Sequence, residues 1–218
     1  MTGSAISGHK VKKLEFHFSE ALKNGYKTVI GCGESSSNYC RSIAVTGKEL
    51  GFHVHLVQCS NLVNFLTNRG IDGQPAYVLP AGFPGDPGIY AYIDTFHELF
   101  LQGVTKEFTD LVVSCDSGIT TSAFIIGNYL TGGNLRVHAL STRESKMQCQ
   151  MIIVDILEKC GFLQQVGDGI DIGDLVSIVE SSREPKHGEV CDEHLGRTTV
   201  YKKNVCVCVC FFFERRNL

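Results

Sequence analysis

Apolar residues along this chain recur with two spacings, one typical of amphipathic helices and one typical of short strands. Leu14, Phe18, Ala21 and Leu22 fall on one face of a helix, and Asn24-Gly25 predicts its end. Further helices are predicted at 39–50, at 89–101, in the small-residue stretch that ends at position 130, and at 145–160. Short apolar runs predict strands at 27–30, 53–57, 76–80, 110–114 and 136–140.

Strands and helices therefore alternate along most of the chain. This order predicts an α/β fold with a mostly parallel sheet and helices on both of its faces. A chain of 218 residues is long enough for one good-sized domain. The pattern degrades after Gly161 into Asp/Gly-rich and then charged sequence. We therefore assign residues 1–177 to the folded core and residues 178–218 to an irregular tail.

The last part of the tail, 200–218, has a composition that protein folding does not explain. Val205 to Cys210 alternates valine with cysteine, and three phenylalanines follow. In codons this segment can be written as a GT repeat followed by a run of T. As a strand it would be apolar on both faces, which suits the middle of a sheet and not the end of a chain. We expect residues 200–218 to be unpacked and not native structure.

Composition and charge exclude several classes of protein. The chain is 43% apolar and 20% charged, and its formal charge of −3 comes without a basic stripe, so nucleic acid is not an expected partner. No apolar run approaches the length of a membrane span, and the N-terminus lacks a signal-peptide pattern. We therefore expect an intracellular, cytoplasmic protein.

The ten cysteines are scattered, and none forms a CxxC pair. His53 and His55 share one face of a predicted strand, but no third ligand accompanies them. We therefore expect buried thiols in a reducing compartment and no metal site.

Candidate chemistry begins with a lysine cluster directly after Gly8. Lys10, Lys12 and Lys13 stand at the start of the first predicted helix, where the positive end of the helix dipole disfavours cations unless an anion compensates. A cofactor phosphate would be such an anion. A lysine beside other cations also loses its proton more readily, as imine chemistry requires.

Two strand–loop–helix units present similar small-residue loops. The first loop runs from Gly31 to Asn38, and the second from Cys115 to Thr121. Such loops direct backbone N–H groups towards an anion at the start of the following helix. A dinucleotide fingerprint would need a glycine near Ser37, so that interpretation is weak. A plain Ser/Asn turn and helix cap remains the alternative for the first loop.

The lysine segment, Ser7-Gly8-His9-Lys10-Val11-Lys12-Lys13-Leu14-Glu15, resembles the S-G-N-K-x-R-K-L-E motif of a family of pyridoxal 5′-phosphate enzymes. This family includes 1-aminocyclopropane-1-carboxylate deaminase and D-cysteine desulfhydrase, and it has the tryptophan-synthase-β-like fold, also called fold type II. The resemblance implies that Lys10 forms the Schiff base and that Lys13 contacts the cofactor phosphate. His9 and Lys12 replace the usual asparagine and arginine.

The two loops extend the resemblance. The first is similar to the family's G-G-I-Q-S-N segment, which implies that Ser37 and Asn38 contact the substrate carboxylate and the cofactor ring. The second is similar to the C-G-S-G-G-T phosphate cup, which implies phosphate contacts from Ser117, Gly118 and Thr120. Asp116 and Ile119 replace two glycines of that cup. The implied catalytic residues are Lys10 and Ser37.

The resemblance implies a pyridoxal-phosphate-dependent lyase or deaminase that acts on a small amino acid. The most similar activity is that of D-cysteine desulfhydrase, which converts D-cysteine to pyruvate, sulfide and ammonia. Family members are about half as long again, and between His55 and Pro75 this chain is shorter than the family pattern, in the small mobile domain. The C-terminal segment that carries a catalytic tyrosine and an acidic partner for the pyridine nitrogen has no match here.

Two alternatives stay open at this point. One is a catalytically inactive, truncated remnant of the same fold. The other is a phosphate- or dinucleotide-binding α/β protein without imine chemistry. The fold commonly forms dimers, which leaves a homodimer open as the assembly.

Overall fold

The computed structural model describes residues 10–33, 37–57, 71, 73–79, 87–141, 144–167 and 171–180, and the backbone of 211–214. The chain divides into two compact units, Met1–Thr95 and Phe96–Leu218. The helices are α1 (Lys10–Lys23), α2 (Asn38–Glu49), α3 (Ile89–Leu101), α4 (Val104–Glu107), α5 (Ile119–Leu130), α6 (Lys146–Lys159), α7 (Phe162–Val166) and α8 (Ile172–Leu175). The strands are β1 (Thr28–Cys32), β2 (His53–Val57), β3 (Ala76–Leu79), β4 (Phe108–Cys115), β5 (Arg136–Ser141), β6 (Ser177–Glu180) and β7 (Phe211–Glu214).

The first unit contains a three-stranded parallel sheet in the order β2-β1-β3. Its central strand, β1, is buried from Thr28 to Gly31, because it has a neighbour on each side. The apolar face of α1 and the start of α2 pack into one core with the sheet, which comprises Leu14, Phe18, Ala21, Val29, Tyr39, Ile43, Phe52 and Leu79. The predicted helical face of α1 is thus confirmed at three of its four positions, while Leu22 is exposed.

The predicted end of α1 is also confirmed. The Gly25 amide donates to the Leu22 carbonyl, and the Tyr26 amide donates to the Ala21 carbonyl. This pair of hydrogen bonds defines a Schellman motif, which satisfies carbonyls that a helix end leaves without partners. The chain then turns directly into β1, so that α1 and β1 are adjacent in sequence and in the core.

The second unit contains a four-stranded sheet in the order β6-β5-β4-β7. The strands β4, β5 and β6 are parallel, whereas β7 pairs antiparallel with the other edge of β4. Helix α5 follows β4 and is buried along most of its length, and α6 follows β5. The predicted α/β class with mostly parallel sheets is therefore confirmed. None of the helices described is both long enough and apolar enough to cross a bilayer.

Two strands lie where the sequence predicts an irregular tail. β6 begins at Ser177 and continues to Glu180, with Ile178 opposite Ala139 of β5, so the expectation of irregular structure fails from position 178. β7 pairs its backbone with β4 at residues 211–214, and the expectation for the rest of 200–218 stays a prediction. Both segments are only four residues long, and strand pairing depends on an available sheet edge that local sequence does not reveal. The alternating Val205–Cys210 segment lies outside the described residues.

Candidate functional site

The first turn of α1 carries the two lysines to which the sequence assigns the cofactor. α1 begins at Lys10, so this residue is the first of the helix, as the sequence predicts. Lys13 lies one turn further along, and a spacing of three residues places both side chains on the same helical face. Lys13 is only 6% exposed, which is unusual for an ammonium group.

The ring of Tyr39 joins these lysines to the start of α2. The Lys13 Nζ atom lies 5.2 Å from the centre of this ring, and the Lys10 Nζ atom lies 6.0 Å from it. Tyr39 is itself 9% exposed, so its ring is fixed by the core beneath it. Cations near an aromatic face are stabilised by the ring quadrupole. The ammonium groups of Lys10 and Lys13 therefore converge at the N-terminus of α2.

Ser37 and Asn38 occupy the same helix terminus. Ser37 is the N-cap of α2, and its Oγ accepts a hydrogen bond from the Cys40 amide at 3.3 Å. Asn38 is the first helical residue and is exposed, and its carbonyl accepts from the Ser42 hydroxyl at 2.9 Å. The helix cap proposed as the plain alternative is therefore present. It leaves the Ser37 hydroxyl proton for a further acceptor, because a serine hydroxyl both accepts and donates.

Gly33 brings the end of β1 close to this cap. A Cβ atom added at Gly33 would lie 2.6 Å from the Cys40 Sγ atom and 3.1 Å from the Ser37 Oγ atom. The Gly33 amide also donates to the Val57 carbonyl, which fixes the end of β1 against β2. The cap thus lies beyond the carboxyl end of the central parallel strand, the edge at which ligands bind in open α/β sheets.

The second candidate loop lies between β4 and α5. Gly118 is the N-cap of α5, with a φ of +76°, and an added Cβ would lie 2.7 Å from the Ile152 Cγ2 atom. Ser117 and Thr120 are half-buried, whereas Asp116 is exposed. The backbone is therefore wound tightly at the start of a buried helix, which suits an anion. Exposure of Asp116 to water weakens the repulsion that its carboxylate would exert on a phosphate.

Within the first unit, the N-terminus of α2 thus brings together Lys10, Lys13, Ser37 and Asn38. In the second unit, Ser117, Gly118 and Thr120 lie around the start of α5. That all of these residues serve one cofactor stays a prediction. Sequence reasoning missed Tyr39, although an aromatic residue directly after the Ser37-Asn38 pair was a usable signal.

A polar network that includes a buried histidine continues along α1 from the lysines. His17 is fully buried, and its Nδ1 atom lies 3.0 Å from the Tyr77 hydroxyl oxygen. The Tyr77 hydroxyl in turn donates to the Glu20 carboxylate at 2.7 Å. Since Tyr77 belongs to β3, these bonds tie α1 to the sheet and hold the helix that carries Lys10 and Lys13.

A second polar cluster lies near the start of β4, away from the loop at the end of that strand. Asp110 accepts hydrogen bonds from Thr109 at 2.6 Å and Arg136 at 2.8 Å, and its other oxygen lies 2.8 Å from His138 Nε2. Desolvation acts to raise the pKa of Asp110, but the hydrogen bonds from Thr109, Arg136 and His138 outweigh it and lower the pKa below its ordinary value. We interpret this cluster as a structural contact that stabilises the pairing of β4 with β5.

Comparisons with known proteins define the class to which this fold belongs. A scan of family models finds no match. The crystal structure of a 1-aminocyclopropane-1-carboxylate deaminase homologue superposes with a TM-score of 0.54 at 17% identity, over 83% of this chain and 63% of that one. The fold is therefore that of the fold type II, tryptophan-synthase-β-like enzymes.

Sequence relatives narrow the assignment. The bifunctional D-cysteine desulfhydrase/1-aminocyclopropane-1-carboxylate deaminase of Arabidopsis thaliana is 27% identical over 81% of this chain. The 1-aminocyclopropane-1-carboxylate deaminase of Ralstonia pickettii is 41% identical over 80% of this chain. The chain is therefore related in sequence and in fold to the 1-aminocyclopropane-1-carboxylate deaminase and D-cysteine desulfhydrase family, whose members are pyridoxal-phosphate enzymes. It spans 54% of the length of the Arabidopsis relative and 64% of that of the Ralstonia relative.

Proposed function

We propose that this chain binds pyridoxal 5′-phosphate and acts as a lyase or deaminase on a small amino acid, most like D-cysteine desulfhydrase. The observation that carries the proposal is the convergence of the Lys10 and Lys13 ammonium groups on the Tyr39 ring at the N-terminus of α2. One such lysine supplies a nucleophilic amine, and the other supplies a fixed positive charge for an anion.

The residues of this site fit such a cofactor in charge and in shape. Lys13 is a nearly buried cation on the same helical face as Lys10, and a fixed positive charge of this kind attracts a phosphate. The start of α5 follows Gly118, whose left-handed backbone and buried position leave no room for a side chain. Ser117 and Thr120 add hydroxyl groups around the same turn, and phosphate oxygens accept hydrogen bonds from such groups.

Each side chain then has a defined role. Lys10 would hold the cofactor through Nζ, and the same amine would move a proton at the substrate carbon. By resemblance to the family motifs, Lys13 would contact the phosphate, and so would Ser117, Gly118 and Thr120. When bound, the cofactor serves as an electron sink for the substrate.

The N-terminus of α2 orients the substrate. The Ser37 hydroxyl donates to the substrate carboxylate, and Asn38 contacts the cofactor ring hydroxyl. Both residues stand at the positive end of the α2 dipole, which favours a carboxylate. Orientation by such groups lowers the entropic part of the activation barrier.

D-cysteine is the proposed substrate, on the basis of the activity that the Arabidopsis relative's name states. A cyclopropane amino acid is the competing candidate, because the same name and the Ralstonia relative's name include it. The two are separated by product analysis. D-cysteine releases sulfide together with ammonia, whereas the cyclopropane amino acid contains no sulfur and releases ammonia alone.

Covalent labelling tests the proposal. The purified chain is incubated with pyridoxal 5′-phosphate, reduced with borohydride and mapped by peptide mass spectrometry. We expect the reduced adduct on Lys10, with Lys10→Ala abolishing the label and Lys12→Ala, the matched control on the same helix, leaving it unchanged. A label on Lys12 in the unaltered chain would contradict the assignment, and a label on Lys10 without turnover of either amino acid would make the chain a cofactor-binding protein.

A further inference from the structure

Two buried thiols meet at the base of the loop between β4 and α5. Cys115 is the last residue of β4 and is 2% exposed, and Cys149 lies in the first turns of α6 and is 1% exposed. Their Sγ atoms are 3.0 Å apart, with the Cys149 thiol donating to the Cys115 sulfur. Both are free cysteines. This separation is about 1 Å longer than the S–S bond of a disulfide.

Rigid elements hold both thiols in place. Cys115 is opposite Ser141 in the pairing of β4 with β5, so its backbone is fixed within the sheet. Cys149 follows a complete capping box, in which Ser145 and Gln148 satisfy each other's backbone amides. α6 also presses on the loop itself, because Gly118 has no space for a Cβ beside Ile152. The two sulfur atoms are therefore held together by the fold.

The two thiols differ in acidity. The hydrogen bond from Cys149 lowers the pKa of Cys115 below its usual value, although burial opposes this effect. The same hydrogen bond, together with burial, raises the pKa of Cys149 well above its usual value. Cys115 is thus the sulfur with more thiolate character, and the thiolate is the reactive form. Cys149 keeps its proton and can supply it to a leaving group.

We propose that Cys115 and Cys149 form a redox modification site, in which a hydroperoxide converts the two thiols into a disulfide that ties the end of β4 to α6. The site does not depend on the proposed function, because it is defined by the two thiols alone. It lies immediately before Asp116 to Gly118, so the bond would anchor the base of the candidate phosphate loop.

The chemistry balances in two steps. The Cys115 thiolate attacks one oxygen of the peroxide, the S–O bond forms, the O–O bond breaks, and hydroxide leaves and takes up a proton. Cys115 is then a sulfenic acid, oxidised by two electrons, and the peroxide is reduced. The Cys149 sulfur next attacks the Cys115 sulfur, the S–S bond forms, the S–O bond breaks, and the leaving hydroxide takes the Cys149 proton. Two thiols and one hydrogen peroxide thus give one disulfide and two water molecules.

Peptide mapping of the full chain tests this proposal. The reduced protein is treated with hydrogen peroxide, blocked with an alkylating agent under denaturing conditions and digested without reductant. We expect a Cys115–Cys149 linked peptide, simultaneous loss of both residues from the alkylated pool, and recovery of both after dithiothreitol. The unaltered chain suffices for this measurement, so the result does not depend on whether a variant folds.

Two variants sharpen the test. With Cys149→Ala, we expect Cys115 to react more slowly, because it loses the hydrogen bond that lowers its pKa, and to stop at the sulfenic acid, which dimedone traps as an adduct. With Cys160→Ser, an exposed cysteine of the same unit, we expect the Cys115–Cys149 link to form as before. The proposal is overturned if Cys115 and Cys149 stay alkylatable while Cys160 is oxidised, or if Cys115 links to other cysteines as readily as to Cys149.

Discussion

The Lys13 ammonium group lies 5.2 Å from the centre of the Tyr39 ring, and both side chains are almost completely buried. A buried charge is expensive unless neighbouring groups stabilise it. The Tyr39 ring provides part of that stabilisation, and it does so for Lys10 at the same time. The side chains of Lys10 and Lys13 are therefore positioned in part by one aromatic residue of α2.

We expect Tyr39→Leu to weaken cofactor binding, because the lysines lose the ring that holds them together. A desolvated cation–π contact contributes about 1 to 2 kcal/mol, which corresponds to roughly a tenfold rise in the dissociation constant. Tyr39→Phe is the matched control, since it keeps the ring, and it should bind as the unaltered chain does. Equilibrium titration with pyridoxal 5′-phosphate measures both. Equal weakening by the two variants would show that the hydroxyl matters and the ring does not.

Ser37 combines a structural role with a proposed role in substrate binding, and two variants separate them. Ser37→Ala removes the N-cap of α2 and should lower the free energy of unfolding by about 1 kcal/mol. Ser37→Asn keeps a capping side chain but removes the hydroxyl, so stability should be retained while the Michaelis constant for the amino acid rises. Denaturant unfolding and steady-state kinetics measure the two effects. If Ser37→Asn has unaltered kinetics, Ser37 is only a helix cap.

Gly118→Ala should destabilise the second unit for two reasons. Its φ of +76° strains any residue with a Cβ, at about 1 to 2 kcal/mol, and that Cβ would also collide with Ile152. Gly132→Ala is the matched control, because Gly132 has a φ of +64° but no neighbouring atom within 4 Å of an added Cβ. We expect Gly118→Ala to lower the free energy of unfolding in urea by more than Gly132→Ala does. Equal costs would mean that α6 moves aside easily.

Asp110 should make the free energy of unfolding depend on pH in the acidic range. Its pKa is lowered in the folded state, whereas in the unfolded chain it keeps the ordinary value of about 4. Above pH about 4 the stabilisation is fully present, and as the pH falls further the unfolded state takes up a proton that the folded state does not, so the free energy of unfolding decreases. Asp110→Asn should cost about 1 to 2 kcal/mol at neutral pH and flatten this acid dependence.

The exposed pair of Asp155 and Lys159 provides the control for Asp110. Both side chains are about half exposed, and such pairs contribute little to stability in water. Asp155→Asn should therefore leave the curve of unfolding free energy against pH nearly unchanged. If Asp110→Asn retains the steep acid dependence of the unaltered chain, another carboxylate is responsible for it.

The sequence predicts those parts of the fold that depend on local pattern. Most of the apolar face of α1, its end at Gly25 and the strand β4 follow from spacing and turn residues, and the structure confirms them. The two loops are recognisable because strand–loop–helix units have a typical composition, and the lysine segment is recognisable by its clustered cations and its resemblance to a family motif. These features are encoded within about a dozen neighbouring residues, which is the range that such patterns cover.

Features that depend on distant pairing were missed. β6 and β7 are short and acquire their structure from β5 and β4, so their own sequence predicts little. Tyr39 became a candidate only when its ring was found beside Lys10 and Lys13. The contact of Cys115 with Cys149 likewise joins two residues that the sequence shows only as scattered cysteines. Tertiary contacts of this kind are fixed by the fold as a whole.

The strands that pair with the two edges of β4 lie at very different distances from it along the chain, which favours an order of assembly for the second sheet. β5 follows β4 after one helical connection, and Asp110 pairs with Arg136. Val112 of β4 pairs with Phe211 of β7, which is much further along the chain. Closing the longer loop costs more entropy, so β4 and β5 form first and β7 arrives last. Until then one edge of β4 presents unpaired amide and carbonyl groups, which can recruit a strand from another molecule. This edge of β4 therefore stays open to another molecule until residues 211–214 have been synthesised and have paired with it.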